Sequence, residues 1–168
     1  MKSNIVYIGL GSNIKQPHLQ IKNAIKALHR LEHTTVVNNA GYFASKPMGP
    51  EDQPDFVNTV VELKTALSAT ELLTQCQLIE KNQGRVKKRF WGERCIDLDI
   101  LLFADFQIES EDLNIPHIGL CQRDFVYMPL LKLNEEIEIP GKGLLRDIIK
   151  NSDSVNDSYA CQFTGHIV

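Results

Sequence analysis

The chain has 168 residues, 43% of them apolar and 23% charged, a composition that fits one globular domain with a proper hydrophobic core. A net charge of −3 gives no global footprint for nucleic acid or an anionic membrane. No apolar run approaches the roughly 18 residues of a spanning helix.

The N-terminus, Met1-Lys2-Ser3-Asn4, leads straight into a strand pattern with no apolar leader region, which points to the cytoplasm. Cys76, Cys95, Cys121 and Cys161 are far apart and form no C-x-x-C pair, so neither a zinc site nor a disulfide framework is expected. Cys76 and Cys95 fall in apolar patterns and read as reduced core residues.

Ile5 to Leu10 is a short β-branched run, read as a strand that ends in Gly9-Leu10-Gly11-Ser12-Asn13. Two glycines in three residues read as a strand-to-helix turn, a place where backbone can approach a phosphate. The third glycine of a dinucleotide fingerprint and the Gly-Lys-Ser/Thr of a P-loop are both missing, so by itself the segment reads only as a turn. From Leu19 to Leu31 the apolar spacing predicts a helix, with Ile21, Ala24, Ile25, Leu28 and Leu31 on one face. Thr34 to Ala44 returns as a strand. Ser45 to Asp55 holds three prolines and a glycine and reads as a loop with a preset backbone. Phe56 to Thr65 is the next strand, with Phe56, Asn58, Val60 and Glu62 on one face. An aromatic two residues from an amide can stack on a flat ring while the amide bonds its edge.

Ser68-Ala69-Thr70-Glu71 has capping-box spacing and opens a second helix that stops at Gly84. Gln77 and Glu80 share a face of it, one turn apart. Arg85 to Arg94 then carries five basic residues in ten, with Trp91, the only tryptophan, among them. This run leads directly into Cys95-Ile96-Asp97-Leu98-Asp99-Ile100-Leu101-Leu102-Phe103. Here Ile96, Leu98, Ile100 and Leu102 predict the buried parity of a strand, and Asp97 and Asp99 share the opposite face. At about 3.3 Å per residue their Cα atoms lie roughly 6.5–7 Å apart, close enough for both carboxylates to converge on one or two cations. Acids on a buried strand need counter-charge, which Arg94 or a divalent metal with phosphate would supply. Basic side chains arriving at such a face suit a metal-bound polyphosphate.

Beyond it, Phe106 to Ile108 and Leu113 to Pro116 read as a short hairpin and His117 as a loop residue. Leu120 to Leu133 reads as a helix, kinked or restarted at Pro129. Glu135 to Pro140 reads as a short strand and Leu144 to Ile149 as a final helix. Residues 151–168 read as a loose tail or an added edge strand of a single domain covering 1–168. The order strand, helix, strand, strand, helix, strand predicts an α+β fold. It is a ferredoxin-like βαββαβ core, an antiparallel sheet with helices on both faces in three α/β/α layers.

Four separated segments resemble one family. Gly9-Leu10-Gly11-Ser12-Asn13 is similar to the N-terminal G-x-G-S-N segment of the 6-hydroxymethyl-7,8-dihydropterin pyrophosphokinases (HPPK). Ser45 to Asn58 is similar to that family's P-x-G-P-x-x-Q-P-x-aromatic-x-N loop. Gly92 to Leu101 resembles its signature G-x-R-x-x-D-L-D, and Ile115-Pro116-His117, followed by Arg123 and Phe125, resembles its V-P-H segment. The matches run in the family's order over roughly Ile5 to Leu131.

The resemblance implies an enzyme of folate biosynthesis that transfers pyrophosphate from ATP to the pterin hydroxymethyl group, leaving AMP. It implies ATP and the dihydropterin as partners, a monomer, and two Mg²⁺ held by Asp97 and Asp99. It places Phe56 and Phe125 on either side of the pterin, with Asn58 and the backbone around Ser45 and Met48 reading the ring edge. Trp91 would close over the site. Gln77, Glu80, Lys87, Ile100, His117 and Arg123 would lie near ATP, and Arg85 and Arg94 near its phosphates during transfer, in a loop expected to close on ATP binding.

Three positions depart from the family's common pattern. Ile118 stands where many members carry tyrosine, and so does Phe56, where stacking survives but a hydroxyl is lost. Lys87 stands for a common arginine and keeps charge without the bidentate fork. Competing readings are another Mg²⁺-dependent phosphotransferase or nucleotidyltransferase using Asp-x-Asp, and a non-catalytic ferredoxin-like binding module. The latter has no need of Asp97, Asp99, Arg85 and Arg94 together.

Overall fold

A computed structural model of the chain describes residues 2–84, 92–152 and 158–168. Its sheet is built on strand β1 (Asn4–Ser12), which is flanked antiparallel by β4 (Phe56–Thr65) and β5 (Asp97–Phe103). β2 (Thr34–Asn39) and β3 (Tyr42–Ser45) both pair with the free edge of β4, β2 along Val61 to Thr65 and β3 along Phe56 to Asn58. With helices α1 (Pro17–His29) after β1 and α2 (Ala69–Asn82) after β4, this is the βαββαβ order and strand neighbourhood of the ferredoxin-like fold.

The sequence predicts one strand over Thr34 to Ala44; the structure divides it in two. Gly41 adopts φ +85° between the halves, while the Ala40 N–H still donates to Val60 O at 3.0 Å. A left-handed residue turns the strand without releasing it from β4. The last strand, β10 (Gln162–Gly165), adds to β3 and becomes the outer edge.

The two sheet faces carry separate cores. α1 and α2 cover one, where Ile8, Ile21, Leu28, Leu63, Leu72 and Ile96 are fully buried. α3 (Asp124–Leu133) and α4 (Leu145–Lys150) cover the other, against Tyr7, Val60, Leu101, Leu130 and Leu145. Three layers result. α3 starts four residues later than its apolar spacing predicts, because residues 117–123 form successive turns, and it carries Pro129 in its interior. Two small hairpins complete this side: β6 (Ile108–Glu109) with β7 (Asn114–Ile115), and β8 (Glu138–Ile139) with β9 (Gly143–Leu144).

α2 opens on the predicted capping box. The Glu71 N–H donates to Ser68 Oγ at 3.1 Å, and Glu71 Oε1 accepts from the Ser68 N–H at 3.0 Å. These bonds hold the exposed Glu71 carboxyl below its usual range. Ser68→Ala is expected to cost about 1 kcal/mol in a denaturant melt, the loss of one N-cap acceptor. A melt indistinguishable from wild type would show that the box does not contribute.

Two expectations on the central strands are corrected. Gly9 and Gly11 lie within β1, not in a turn after it, and neither has a positive φ. Their role is to be bare. The register places Gly11 between Asn58 and Asp97, and Gly9 between Val60 and Asp99, all on the face that carries α3. The second correction concerns β5. Tyr7 pairs with Leu102 and Ile8 with Ile100, so Leu101 is an extra residue in a bulge. The parity predicted from Ile96 through Leu102 therefore ends at Ile100. Phe103, rather than Leu102, continues into the α1/α2 core, and Leu101 and Leu102 join the α3/α4 core.

Candidate active site

α3 and α4 leave one end of their sheet face uncovered. There the cross-strand rows Asn58–Gly11–Asp97 and Val60–Gly9–Asp99 form the floor of a cleft of about 560 Å³. Ser45, Lys46 and Met48 wall it on the side of the proline-rich loop, and Phe125 and Val126 wall it from the start of α3. Phe56 lines it as well. A largely apolar pocket with a few converging polar groups is the form of a small-molecule site.

The Asn58 amide is fixed. Its Nδ2 donates to Ser45 Oγ at 2.8 Å and to Phe43 O at 3.4 Å. That turns Oδ1 over Gly11, 3.3 Å from where a Cβ would sit at that glycine. Asn58 thus presents an acceptor between an aromatic side chain and two carboxylates. This geometry suits a flat ring with an N–H edge.

Asp99 also lines a second cleft on the outer side of β5, of about 550 Å³, with Leu98, Ile100, Asp112, Leu113, Asn114, His117 and Ile118. A groove holding Gln77 continues from it, with Leu73, Asp112 and Leu113 shared. The Gly119 N–H donates to His117 Nδ1 at 3.0 Å, so the neutral ring carries its proton on Nε2. Burial lowers the His117 pKa; the Asp99 carboxylate raises it, and Arg123 lowers it further. The net shift is downward, and His117 stands as a neutral N–H donor at pH 7. Arg123 is half-buried and packs over Gly119.

Arg94 and Glu80 stand behind this floor. Arg94 is 7% exposed. Its Nη1 donates to Gly92 O and Glu93 O, each at 3.1 Å, and its Nε lies 3.6 Å from Asp97 Oδ1. It is the counter-charge that the sequence required for at least one of the two acids. Glu80 is equally buried and accepts from the Leu98 N–H at 2.8 Å. β5 is the outer strand beside β1, so its outward N–H groups lack a ladder partner, and Glu80 takes the one between the two aspartates. Glu80 therefore positions the acidic strand. Arg85, Lys87 and Trp91 lie outside the described residues.

Sequence reasoning missed Asn13 and Gln53. Asn13 is 2% exposed and joins three segments. Its Nδ2 donates to Gln53 Oε1 and Pro54 O, each at 3.0 Å, its Oδ1 accepts from the Arg94 N–H at 2.9 Å, and its own N–H donates to Arg94 O. The end of β1, the proline-rich loop and the approach to Asp97 are thereby locked together. The signals were a polar pair, Ser12-Asn13, directly after an apolar strand, and the family resemblance, in which Asn13 ends the G-x-G-S-N segment and Gln53 is the glutamine of the proline-rich loop.

No three-residue cluster of His, Cys, Asp or Glu that could hold a metal exists among the described residues. The acids at the site are two, on neighbouring same-face positions. That donor set fits Mg²⁺, which is commonly bound through one or two carboxylates with substrate phosphates completing its shell.

A model of the family 7,8-dihydro-6-hydroxymethylpterin-pyrophosphokinase (HPPK) matches residues 7–135. A 2-amino-4-hydroxy-6-hydroxymethyldihydropteridine pyrophosphokinase of Haemophilus influenzae is 43% identical over 144 residues, covering 86% of this chain and 90% of its own length. The enzyme of the same name from Pseudomonas aeruginosa is 39% identical over 160 residues, 95% of this chain and 93% of its own. Among solved structures, an HPPK-DHPS in complex with substrates superposes with a TM-score of 0.68 at 13% identity, over 89% of this chain and 43% of that one. At that identity the superposition speaks for the fold, and this chain spans less than half of that protein's length. The family match and the relatives together place the chain in the 7,8-dihydro-6-hydroxymethylpterin-pyrophosphokinase family.

Proposed function

We propose that the cleft floored by Gly9 and Gly11 takes the dihydropterin, that the cleft beside His117 takes ATP, and that Asp97 and Asp99 stand where the two substrates meet. The chain is a pyrophosphokinase of 6-hydroxymethyldihydropterin in folate synthesis, with ATP as its co-substrate. The observation that carries the site assignment is Asp99, which lines both clefts. A group passed from one substrate to the other crosses this carboxylate.

In the pterin cleft, Phe56 and Phe125 supply apolar faces for the ring, and Asn58 accepts from its edge. Ser45 holds Asn58 in that orientation, and the backbone near Met48 closes the same side. Across β5, Ile100 offers an apolar wall to the adenine end. Gln77, His117 and Arg123 supply donors to the nucleotide, with His117 donating through Nε2. Asp97 and Asp99 would hold two Mg²⁺, whose charge, when bound, neutralises the β- and γ-phosphates and acidifies the pterin hydroxyl.

The transfer forms a bond from the pterin hydroxyl oxygen to the β-phosphorus and breaks the bond from that phosphorus to the α–β bridging oxygen, so AMP leaves. The hydroxyl proton passes to Asp97, whose Oδ1 lies 3.6 Å from Arg94 Nε. Little covalent chemistry falls to the protein, and positioning with charge neutralisation is its main contribution. Arg85, Lys87 and Trp91 complete the reading as groups that close over the phosphates and the pterin. We place the reaction in the cytoplasm and assign it to a monomer acting as a single domain, 1–168. No helix among the described residues is long and apolar enough to cross a membrane.

The test is product analysis. With ATP, Mg²⁺ and 6-hydroxymethyl-7,8-dihydropterin, AMP is expected to appear in step with pterin consumption. ADP as the product would favour a simple phosphotransferase and overturn this reading.

A further inference from the structure

The C-terminal segment lies beyond residues 7–135, the span matched by the family. It nevertheless returns to the proposed pterin cleft and touches two of its walls. The Tyr159 ring stands edge-on to Phe125, with centroids 5.2 Å apart and planes at 71°. Tyr159 O accepts from the Lys46 N–H at 2.8 Å, at the start of the proline-rich loop. The Tyr159 and Cys161 N–H groups donate to Asp124 Oδ2 at 3.0 and 3.2 Å.

Asp124 is 6% exposed and immediately precedes Phe125 in α3. Burying a carboxylate is costly unless donors meet it, and here two main-chain donors come from the tail. Among the described residues its Oδ1 has no hydrogen-bond partner, so the tail's two amides are what compensates this buried acid. Beside it, burial and then Asp124 push the Cys161 thiol up to about 12, so it stays protonated at neutral pH.

Farther along, β10 pairs with β3, the strand that ends in Ser45. Lys132 of α3 anchors that pairing. Its Nζ sits 3.4 Å from the Phe163 ring centroid and donates to Ala40 O at 2.8 Å. The segment is thus tied at one end to the Phe125 wall and the Lys46 loop, and at the other to the strand carrying Ser45.

We infer that residues 158–165 form a strap that sets the distance between the Phe125 wall and the 45–48 wall, with Tyr159 as a positioning residue for pterin affinity. The inference rests on the assignment of this cleft to the pterin. Tyr159 lines neither cleft, so it acts through Phe125 and Lys46. An aromatic wall held from behind keeps its rotamer before the ligand arrives, and preorganisation of this kind shows in affinity rather than in the chemical step.

The test is steady-state kinetics on the full-length enzyme, with both substrates varied. Tyr159→Ala is expected to raise KM for the pterin about three- to tenfold, the range for losing an aromatic pair. KM for ATP and kcat stay unchanged. Tyr159→Phe, which keeps the ring edge, is expected to restore the pterin KM, and deletion of 158–168 to raise it further than Tyr159→Ala. Asn58→Ala is the parallel probe of the cleft itself. If Asn58→Ala raises the pterin KM and Tyr159→Ala does not, the strap is overturned while the cleft stands. If neither raises it, the cleft assignment falls and the strap with it. A proportional rise in both substrates' KM, or a Tyr159→Phe variant no better than Tyr159→Ala, would reduce Tyr159 to a fold-stabilising contact and overturn the inference.

Discussion

Asp97→Ala and Asp99→Ala are each expected to lower kcat by about 100- to 1,000-fold, the scale for removing one group that stabilises transferring charge. Their effects on stability should differ, and the difference is diagnostic. Asp99 is exposed and sits beside a like charge, so its loss should leave stability within about 0.5 kcal/mol of wild type. Asp97 is the ion-pair partner of Arg94, and the Arg94 side chain is 8% exposed. Removing Asp97 leaves that guanidinium with two main-chain carbonyls at 3.1 Å and should cost about 1–3 kcal/mol. Denaturant melts and single-turnover AMP formation on the same preparations separate the two effects. Mg²⁺ titration should show a raised requirement in Asp99→Asn, which keeps the side-chain size but not the charge. Near-normal turnover in either alanine variant would remove the metal assignment.

The parts legible in the sequence were those whose cause is local. β4 has the predicted bounds, because a ten-residue run rich in Phe, Val, Thr and Leu, with no Gly or Pro, lies between a proline-rich loop and a capping box. α2 begins where Ser68 and Glu71 said it would, since both partners of the box lie within four residues. The acidic pair was readable for the same reason: alternation on a strand is a two-residue rule. The structure gathers Asp97, Asp99, Ser45, Met48, Phe56, Asn58 and Phe125 around one cleft, though they come from four separate stretches of chain.

What could not be read depends on register and on distant partners. The bulge at Leu101 changes which side of the sheet Leu102 and Phe103 face, and only the pairing with β1 reveals it. Asn13 meets Gln53 across 40 residues and Arg94 across 81, so its polar side chain looked like a strand-end residue. Glu80 showed as an acid one turn from Gln77 on a shared helix face, and the family resemblance placed both near ATP. A partner that this spacing could not show is the Leu98 N–H on the sheet edge. For Asn13 and Glu80 a buried polar group is satisfied by backbone from elsewhere in the chain, the usual solution for such groups. Their effect is to hold the site residues still.

The glycines of β1 carry the second large prediction. Gly11→Val is expected to lower kcat/KM for the pterin by about 100-fold, the scale of a misplacement near 1 Å at a reacting centre. A Cβ at Gly11 would stand 3.3 Å from Asn58 Oδ1 and 3.7 Å from Phe56 Cδ1, and the γ-methyls of valine would extend over the floor between Asn58 and Asp97. The backbone itself tolerates the change, because Gly11 has no positive φ and valine suits a strand. The 3.3 Å contact asks the hydrogen-bonded Asn58 amide to give by a few tenths of an ångström, so a modest loss of thermal stability is expected while the pterin is excluded. KM for ATP should move little, since Gly11 lines only the pterin cleft. Gly9→Ala is the milder counterpart. Its Cβ would meet Leu101 at 3.5 Å, an ordinary contact, and activity should fall far less than in Gly11→Val. A Gly11→Val enzyme that is folded and keeps wild-type pterin kinetics would show that the ring does not lie over β1, and the placement of the substrate would have to move to another wall of the cleft.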